Sequence, residues 1–477
     1  MSNVKLLNER ELIMKKSKKV LSVVIVLFVM MSAVSCFVYA SEDSYKIVSP
    51  YEGIIWEGEN AHTAYKGNLH THSTVSDASV DYPEMIKEYY NQGFDFLAMT
   101  DHGVTGKAWN EKQAQLPLYL YQYITGNTVT KLTDEEFIGI TTGTYPLYDG
   151  TIRGTGMTCI TGGNELSNMT LTKSHVNGFF LPEGVGNGYA GKENGYRESI
   201  AYIDRHGGIS HINHPGDWLE TNVDINNVYD KEAIEMFSDI LLTYNSCLGM
   251  EVFNEDNGPT NYDRILWDNL LMSVLPYGRT VIGFSNSDAH DLQHVDTSFS
   301  IYMMKDNSVE SVKETMQSGA FFPVTRRLKG NGIIGPANEI DARNTSIPYP
   351  MYGSVVVDGH KVTVTVKDCN KLQWIANGKV IYSLDVTPAM YGKEITIDLD
   401  TIEGAEDFLY IRCELFGKGG ICLTQALTID DGSAPLEYKK EVTFESVLSD
   451  IIFEFKSTRL YVIFQELVRL IAGELRG

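Results

Sequence analysis

The sequence predicts an α/β domain built on a largely parallel sheet, followed by a small β-sandwich and a helical C-terminal tail. Two observations predict the α/β domain. Between residues 65 and 324, short apolar segments alternate with segments of helical periodicity, and residues 94–99 (FDFLAM) are apolar almost throughout, as in a strand buried on both faces. After Gly330 the segments become short and alternate polar with apolar residues, which predicts the sandwich.

Residues 1–40 have the composition of an export signal. Four lysines between residues 15 and 19 precede an apolar segment at residues 20–34. Cleavage after Ala40, cleavage before a lipidated Cys36 and an uncleaved anchor all stay open, since the apolar segment approaches the roughly 20 residues that span a bilayer. We expect a protein that is secreted or attached to the cell surface, with membrane attachment, if any, through this segment.

The elements of the α/β domain, residues 41–330, follow in order. Strands are predicted at residues 65–69, 94–99, 158–161, 209–213, 249–253 and 280–284, and helices at residues 83–92, 197–206 and 262–274. Residues 109–157 interrupt the alternation with a segment rich in tyrosine, threonine and glycine. We expect this segment to be an insertion that covers the active edge of the sheet.

The predicted sandwich covers residues 331–431, and the tail covers residues 432–477. Asp358-Gly359 and Asn377-Gly378 are hairpin signals. Cys413 and Cys422 flank a glycine-rich turn symmetrically, so a disulfide and two free thiols are both open. The tail has apolar residues at helical spacing, which predicts helices packed on the barrel or sandwich, or else a helix at a membrane surface.

The charge of the chain argues against a nucleic-acid partner. Asp and Glu number 62 and Lys and Arg 39, for a net charge of −23, and no basic cluster with interleaved aromatic residues is present. We therefore expect a small-molecule substrate.

Side chains that can bind metal stand at the ends of successive predicted strands. His70 and His72 end the first strand, where a spacing of two directs both imidazoles to one side. The later members are Asp77, His102, Glu165, His214, Asp288 and His290. Because α/β proteins place their sites at the carboxyl ends of strands, we expect these side chains to converge. Imidazole and carboxylate ligands suit zinc, manganese or iron.

Other polar residues near these positions have simpler interpretations. Strand parity turns His211 away from His214, which predicts a hydrogen-bonded packing residue. Asp101 is expected to fix a neighbouring loop or ligand, and Glu251 to orient a ligand or form an interior ion pair. The histidines without a motif are expected to be solvated or capping residues: His62, His206, His294 and His360.

Taken in chain order, HTHST with a following Asp, TDHG, NE, NHP and SDAH resemble the motifs of the polymerase-and-histidinol-phosphatase (PHP) superfamily. The match covers residues 65–324. The segments NLHTHST…GFDFLAMTDH and YIRCELFGKGGICLTQAL further resemble the CehA/McbA type, named for carbaryl hydrolase. The resemblance implies a distorted (β/α)7 PHP barrel that holds two to three divalent metal ions.

The resemblance also implies a ligand set for each metal. The first metal would be held by His70, His72, Glu165 and Asp288. Glu165 would bridge to a second metal, held also by His214 and His175, with His211 as the alternative to His175. The third would be held by Asp77, His102 and His290.

A water between two closely spaced metals loses a proton near neutral pH, so Glu165 and Asp288, which would hold those metals, are the expected catalytic residues. No serine-protease relay, Walker loop or Rossmann fingerprint is present in the sequence.

Three functions are compatible with these residues. The first is an exported phosphoesterase acting on an anionic phosphomonoester or phosphodiester, and the second is a CehA/McbA-like hydrolase of an ester, carbamate or amide. The third is a non-catalytic surface-binding protein. A basic side chain aimed at the metals would favour the first, and the candidates are Lys107, Arg153, Lys173 and Arg326.

Overall fold

The structure, a computed structural model, describes residues 45–113, 130–166, 173–187, 195–255, 262–328 and 340–439. The strands are β1 (Lys46–Val48), β2 (Thr63–Asn68), β3 (Phe96–Ala98), β4 (Thr158–Ile160), β5 (Asn164–Leu166), β6 (Val176–Phe179), β7 (Ile209–Ile212), β8 (Cys247–Asn254), β9 (Ile282–Asn286), β10 (Ser298–Met304), β11 (Phe321–Thr325), β12 (Arg327–Leu328), β13 (Ile340–Asp341), β14 (Met351–Asp358), β15 (Lys361–Lys367), β16 (Lys371–Ala376), β17 (Lys379–Asp385), β18 (Glu394–Asp398), β19 (Tyr410–Gly417), β20 (Gly420–Leu423) and β21 (Leu427–Asp430).

The α-helices of these ranges are α1 (Tyr82–Asn91), α2 (Asp134–Thr142), α3 (Tyr196–Arg205), α4 (Pro215–Trp218), α5 (Lys231–Thr243), α6 (Asp263–Val274) and α7 (Val309–Ser318). Short 3-10 helices lie at Ile225–Tyr229, Leu275–Tyr277, Pro388–Met390, Leu399–Thr401 and Ala405–Asp407. Within the described ranges, no helix is both long and apolar enough to cross a bilayer.

Two sheets carry the strands of the first domain. One has the order β5-β6-β7-β8-β9, and the other contains the run β10-β2-β3-β4. β2, β3 and β4 are parallel, as are β7, β8 and β9, whereas β6 is antiparallel to both of its neighbours. Isolated bridges join the two sheets at both ends, between His102 and Glu165 and between Thr71 and Ala289. These bridges bring the segments that follow β2, β3 and β9 to one edge.

Helices α3, α5 and α6 bury apolar side chains against the β5–β9 sheet. Ile203 of α3, Phe237 of α5 and Trp267 of α6 belong to one buried cluster with the apolar residues of β8. β8 is buried along its whole length, and Glu251 is its one charged residue. A buried carboxylate in such a strand must find donors, so it marks a polar centre inside the sheet.

Five of the strands after residue 340 belong to the same sheet as β2, β3 and β4: β16, β17, β19, β20 and β21. The hairpin β19–β20 pairs with β11, and β16 pairs with β19. β14, β15 and β18 form a separate three-stranded sheet. Both predicted hairpin turns are found: Asp358 faces Lys361, and Ala376 faces Lys379 across a two-residue turn. The predicted boundary at residues 330–331 lies outside the described residues and stays a prediction.

The register of the β19–β20 hairpin corrects one expectation. Gly417 faces Gly420, so the turn is centred one residue further along the chain than symmetric spacing around it implied. Cys422 therefore lies opposite Leu415, while the backbone of Cys413 bonds to Thr424. Both cysteines are free and buried, and the disulfide is absent.

Three predicted segments lie wholly or partly outside the described residues. They are the N-terminal signal, the centre of the insertion at residues 114–129, and most of the C-terminal tail, residues 440–477. The insertion has one described helix, α2. Thr133 caps it in a capping box with Glu136, which satisfies backbone groups at the start of the helix.

Candidate metal centre

The structure brings all nine predicted ligands together at one edge of the joined sheets. They form four groups whose potential ligand atoms lie within 4.8 Å of one another: His72–Asp77–His102–His290, His70–His72–Glu165, His70–His214–Asp288 and His102–Glu165–His175. The strands explain this placement, because the segments after β2, β3, β7 and β9 and the residues of β5 and β6 meet at this edge.

Glu165 is the central carboxylate of the cluster. Its Oε1 lies 3.2 Å from His70 Nε2 and 3.1 Å from His175 Nδ1. Its Oε2 lies 3.1 Å from His72 Nε2 and 3.0 Å from His102 Nδ1. The side chain is buried. One carboxylate that reaches four imidazoles through two oxygens has the geometry of a bridging ligand.

Asp288 approaches the same imidazoles from the end of β9. Its Oδ1 lies 3.1 Å from His70 Nε2 and 3.0 Å from His72 Nε2, and its Oδ2 lies 3.7 Å from His214 Nε2. Asp288 and His214 both have positive φ, 46° and 22° respectively, a conformation that costs free energy in residues other than glycine. The backbone is thus strained at two of the predicted ligands.

Asp77 and His290 form the solvent-facing part of the cluster. Their side chains are 22% and 34% exposed, against 10% or less for His70, His72, Glu165 and Asp288. Asp77 lies 3.4 Å from both His102 Nε2 and His290 Nε2. Access from solvent is therefore on the side of the predicted third metal.

Two residues outside the predicted ligand set orient the cluster. Glu251 lies 2.9 Å from His70 Nδ1 and accepts hydrogen bonds from the His214 backbone amide and from the side chains of Asn254 and Asn286. It orients a ligand, one of the two roles expected for it. Asn213 Nδ2 donates to Glu165 Oε1 at 2.6 Å. Asn213 was missed, although its place in the NHP motif was a signal.

The tautomers of two histidines follow from their partners. His70 Nδ1 faces a carboxylate of Glu251, and His290 Nδ1 faces the Asp288 carbonyl at 2.9 Å. Because these oxygens accept, each Nδ1 carries the proton and each Nε2 presents a lone pair. His72 Nε2 lies 3.2 Å from His70 Nε2, with the carboxylates of Glu165 and Asp288 beside both. Lone pairs and carboxylates that converge in this way fit divalent cations.

The pKa shifts of these residues also indicate that the cluster fits cations. Burial lowers the pKa of His70, but the carboxylates of Asp288 and Glu165 outweigh it and raise the pKa well above its ordinary value. For His214, burial opposes Glu165 and Asp288 in the same way, and the pKa rises to about 9. Burial raises the pKa of Glu165, yet the surrounding imidazoles hold it well below its ordinary value. The cluster therefore favours added positive charge, as protons or as metal.

His175, and not the alternative His211, belongs to the cluster. His211 is buried between Phe284 and Phe179, with ring centroids 4.6 Å and 5.3 Å away. Burial lowers its pKa to about 4. Neither ring nitrogen has a hydrogen-bond partner among the described residues, so His211 is the expected packing residue without the expected hydrogen bond.

The remaining polar residues take local roles. Each histidine without a motif bonds nearby: His62 Nδ1 accepts from the Ile55 amide, His206 bonds to the Tyr202 carbonyl, and His294 and His360 pair with Asp291 and Asp400. Asp101 holds the loop after His72, as expected, through Ser73 and Ser76.

The four basic candidates for substrate binding are each engaged elsewhere. Lys107 pairs with Glu183, Lys173 with Glu220 and Arg153 with Asp95. Arg326 corrects the prediction most clearly: it is buried, pairs with Asp296 at 3.0 Å and donates to the carbonyls of residues 342, 345 and 347. These contacts occupy its guanidinium, so Arg326 is not a candidate for substrate binding.

Comparison with known proteins gives distant structural similarities. No family model matches the chain, and no curated protein matches it. A two-domain protein of Bacteroides vulgatus that contains a predicted PHP-like metal-dependent phosphoesterase is 15% identical, over 77% of this chain and 96% of its own, with a TM-score of 0.38.

A lesion-specific endonuclease of Pyrococcus furiosus is 15% identical over 54% of this chain and 56% of its own, with a TM-score of 0.30. An amidohydrolase of Chromobacterium violaceum is 14% identical over 47% and 87%, with a TM-score of 0.25. Likeness at this level carries no argument about what the chain does, which has to come from its own side chains.

Proposed function

We propose that the chain is a metal-dependent hydrolase of the PHP type, with phosphoester hydrolysis as the favoured reaction. The observation that carries the proposal is the convergence of the His70 and His72 Nε2 atoms, 3.2 Å apart, on two buried carboxylates. Without a cation between them these groups repel one another or must take up protons. The motif order in the sequence supports the same assignment.

The strand connections support a seven-stranded distorted barrel for this domain. Following pairings and isolated bridges in turn gives a closed path through β2, β3, β5, β6, β7, β8 and β9 and back to β2. Two of the seven contacts in this path are single bridges, which accounts for the distortion. Under this proposal the nine ligands line the carboxyl end of the barrel, where such folds place their sites.

The chemistry follows from the ligand set. Divalent ions held by these residues would lower the pKa of water toward neutrality and neutralise charge on the substrate oxygens. Glu165 and Asp288 hold the ligand nitrogens of the buried half in one arrangement. Asp77 and His290, at the exposed side, are placed to meet the substrate first.

One observation supports a second reaction, the cleavage of an uncharged ester, carbamate or amide. All four basic side chains that the sequence offered for an anionic substrate are paired with carboxylates or carbonyls in the described part of the chain. The cations alone would then have to balance a phosphoryl group. Cleavage of an uncharged ester, carbamate or amide, as in the CehA/McbA type, makes no such demand.

A metal assay paired with a substrate screen tests both reactions. Protein reconstituted with Zn²⁺, Mn²⁺ or Fe²⁺ should hold two to three equivalents by elemental analysis. It should then be compared on p-nitrophenyl phosphate, bis-p-nitrophenyl phosphate, p-nitrophenyl acetate, a naphthyl carbamate and a p-nitroanilide. Turnover of the phosphoesters supports the favoured reaction, and turnover of only the last three supports the alternative.

Two outcomes would contradict the proposal. Protein that takes up no metal after reconstitution is not a metallohydrolase. Protein that holds metal but turns over no substrate fits the non-catalytic surface protein instead.

We also propose export, supported by the basic and apolar composition of residues 1–40. The strongly acidic composition supports a small-molecule substrate and not a nucleic acid. N-terminal sequencing of protein from the native cell tests export: a start at Ser41 or an acylated Cys36 outside the cytoplasm is expected. An intact Met1 on cytosolic protein would contradict it.

A further inference from the structure

Asp101 holds the loop between two groups of candidate ligands. It follows β3, directly precedes His102, and has a buried side chain. Its Oδ1 accepts from the Ser73 amide at 2.7 Å, the Ser76 amide at 3.2 Å and the Ser76 hydroxyl at 2.9 Å. The Ser73 hydroxyl lies 3.0 Å from both carboxylate oxygens. Two serines of one loop are thus fixed by one carboxylate.

Ser76 connects that carboxylate to a candidate ligand. Its Oγ lies 3.2 Å from His72 Nδ1. A hydroxyl has one proton, and Ser76 gives it to Asp101, whose Oδ1 acts as the acceptor. Toward His72 the same oxygen must therefore accept, so the imidazole donates from Nδ1. Its Nε2 then presents a lone pair to Glu165 and Asp288, 3.1 Å and 3.0 Å away.

We propose that Ser76 and Asp101 are positioning residues, which hold His72 as the Nδ1–H tautomer with Nε2 free to bind metal. The role of metal in this inference rests on the proposed function. The device differs from those at the neighbouring ligands, where His70 bonds directly to Glu251 and His290 to a carbonyl of its own loop. Partners of this kind fix the tautomer and the orientation of a ligating histidine.

The loop geometry extends the effect to the exposed half of the cluster. Asp77 follows Ser76 directly, and its carboxylate reaches His72 Nδ1 at 3.7 Å, His102 at 3.4 Å and His290 at 3.4 Å. Because the Ser76 amide is bound to Asp101, the same carboxylate fixes the backbone that carries Asp77. Loss of the hydrogen bonds between Asp101 and Ser76 should therefore weaken metal binding in both halves of the cluster.

Three substitutions separate this role from general packing. Ser76→Ala removes the hydroxyl, and Ser76→Thr restores it. Ser73→Ala is the matched control, since it removes the other hydroxyl on the same carboxylate while touching no described imidazole. Zn²⁺ affinity is measured by chelator competition. The His72 tautomer in the metal-free protein is measured by ¹⁵N spectra of histidine-labelled protein, at a pH where the spectra show His72 to be neutral, with the signal assigned through His72→Gln.

We expect Ser76→Ala to lose about 10- to 100-fold in Zn²⁺ affinity, the usual effect of removing a hydrogen-bond partner of a ligand. Its His72 signal should shift toward the Nε2–H tautomer. Ser76→Thr should match the wild type in both measurements, and Ser73→Ala should stay within about threefold in affinity.

Wild-type affinity and an unchanged tautomer in Ser76→Ala would overturn the inference, as would equal losses in Ser73→Ala and Ser76→Ala. Wild-type protein that binds no Zn²⁺ would remove the proposed function instead. The tautomer in the metal-free protein would still decide whether Ser76 and Asp101 position His72.

Discussion

Two clusters of charged side chains in the described part of the chain differ in how their charges are balanced. The first lies between α6 and β19, where Arg412 donates to both oxygens of Asp268, at 2.7 Å and 2.6 Å, and to Glu414 at 2.6 Å. Arg264 also reaches Glu414. The second is the histidine–carboxylate cluster at the ends of β2, β3, β5, β7 and β9.

In the first cluster the side chains balance one another's charges. Two guanidinium groups face two carboxylates, Tyr410 donates a further hydrogen bond to Asp268, and Gln373 donates one to Glu414. In the second cluster ring nitrogens and carboxylate oxygens face one another: His70 Nε2 lies 3.2 Å from His72 Nε2, and both lie beside Glu165 and Asp288. Burial of charge alone therefore does not indicate a functional site. An excess of buried acceptors over donors does, because it calls for a cation.

The largest expected effect is the loss of the site when either central carboxylate is removed. Glu165→Ala takes away the side chain that four imidazoles share, and Asp288→Ala takes away the second acceptor. Bound metal should fall to background by elemental analysis, and turnover on whichever substrate the screen identifies should become undetectable. Asp288→Ala with wild-type turnover would show that the buried half of the cluster is not the reaction centre.

A substitution in the Arg412 cluster should lower the stability of the protein and leave its metal content unchanged. Arg412→Ala leaves Asp268 and Glu414 buried without their main partner, which should cost about 3–5 kcal/mol in the free energy of unfolding. Urea denaturation measures that loss, with metal content per folded molecule as the second reading. Lys231→Ala, which breaks an exposed ion pair with Glu235, is the control and should be nearly neutral.

Metal loss in Arg412→Ala at full folding would contradict this contrast. The two clusters would then be coupled through α6, and charge balance would not separate a packing network from a site.

Within the histidine cluster, the exposed half should tolerate substitution better than the buried half. His290 is 34% exposed and contacts carboxylates at 3.4 Å and 3.7 Å, so His290→Ala should lose about one equivalent of metal and keep weak activity. His102 lies 3.0 Å from Glu165 and is buried, so His102→Ala should lose more metal than His290→Ala. Titration of each variant with Zn²⁺ measures the number of sites, and the reverse order would contradict the division into halves.

The sequence was sufficient to predict which side chains converge, because residue type and place at a strand end are both local properties. The direction of a side chain is not local. Arg326 follows β11 like a candidate for the site, but its guanidinium turns to the carbonyls of residues 342–347, a segment no pattern around Arg326 could foretell. The role of Ser76 depends on Asp101, 25 residues away, as well as on the nearby His72. The partner of the Asn213 side chain, Glu165, is 48 residues away, so the NHP motif alone did not identify it.

Pairing between strands that are distant in the chain could not be predicted from the sequence either. Alternation and the turn at Asn377-Gly378 predicted the strands and hairpins of the C-terminal region, whereas the union of β20 with β11 depends on packing. The Cys413–Cys422 disulfide does not form because the turn is shifted by one residue from the position that symmetric spacing implied. A glycine-rich segment allows several registers, so the sequence could not fix this one.

The smallest expected effect concerns His211, a buried histidine that stands outside both clusters. Burial lowers its pKa in the folded protein to about 4 from an ordinary 6.5, so the unfolded chain binds a proton that the folded one excludes between those values. The contribution of His211 to stability is therefore complete above pH 6.5 and is lost as pH falls toward 4. From pH 7 to pH 5 the loss should be about 2 kcal/mol.

His211→Phe, which keeps an aromatic ring against Phe284 and Phe179, should remove that pH dependence. Other titrating groups are common to both proteins, so the difference between their unfolding free energies, measured metal-free by urea denaturation at pH 7 and pH 5, isolates His211. The variant should gain on the wild type by about 2 kcal/mol at the lower pH and keep its bound metal, whereas His214→Phe should lose it. Parallel pH curves, or metal loss equal to that of His214→Phe, would place His211 in the metal cluster instead of the apolar packing beneath it.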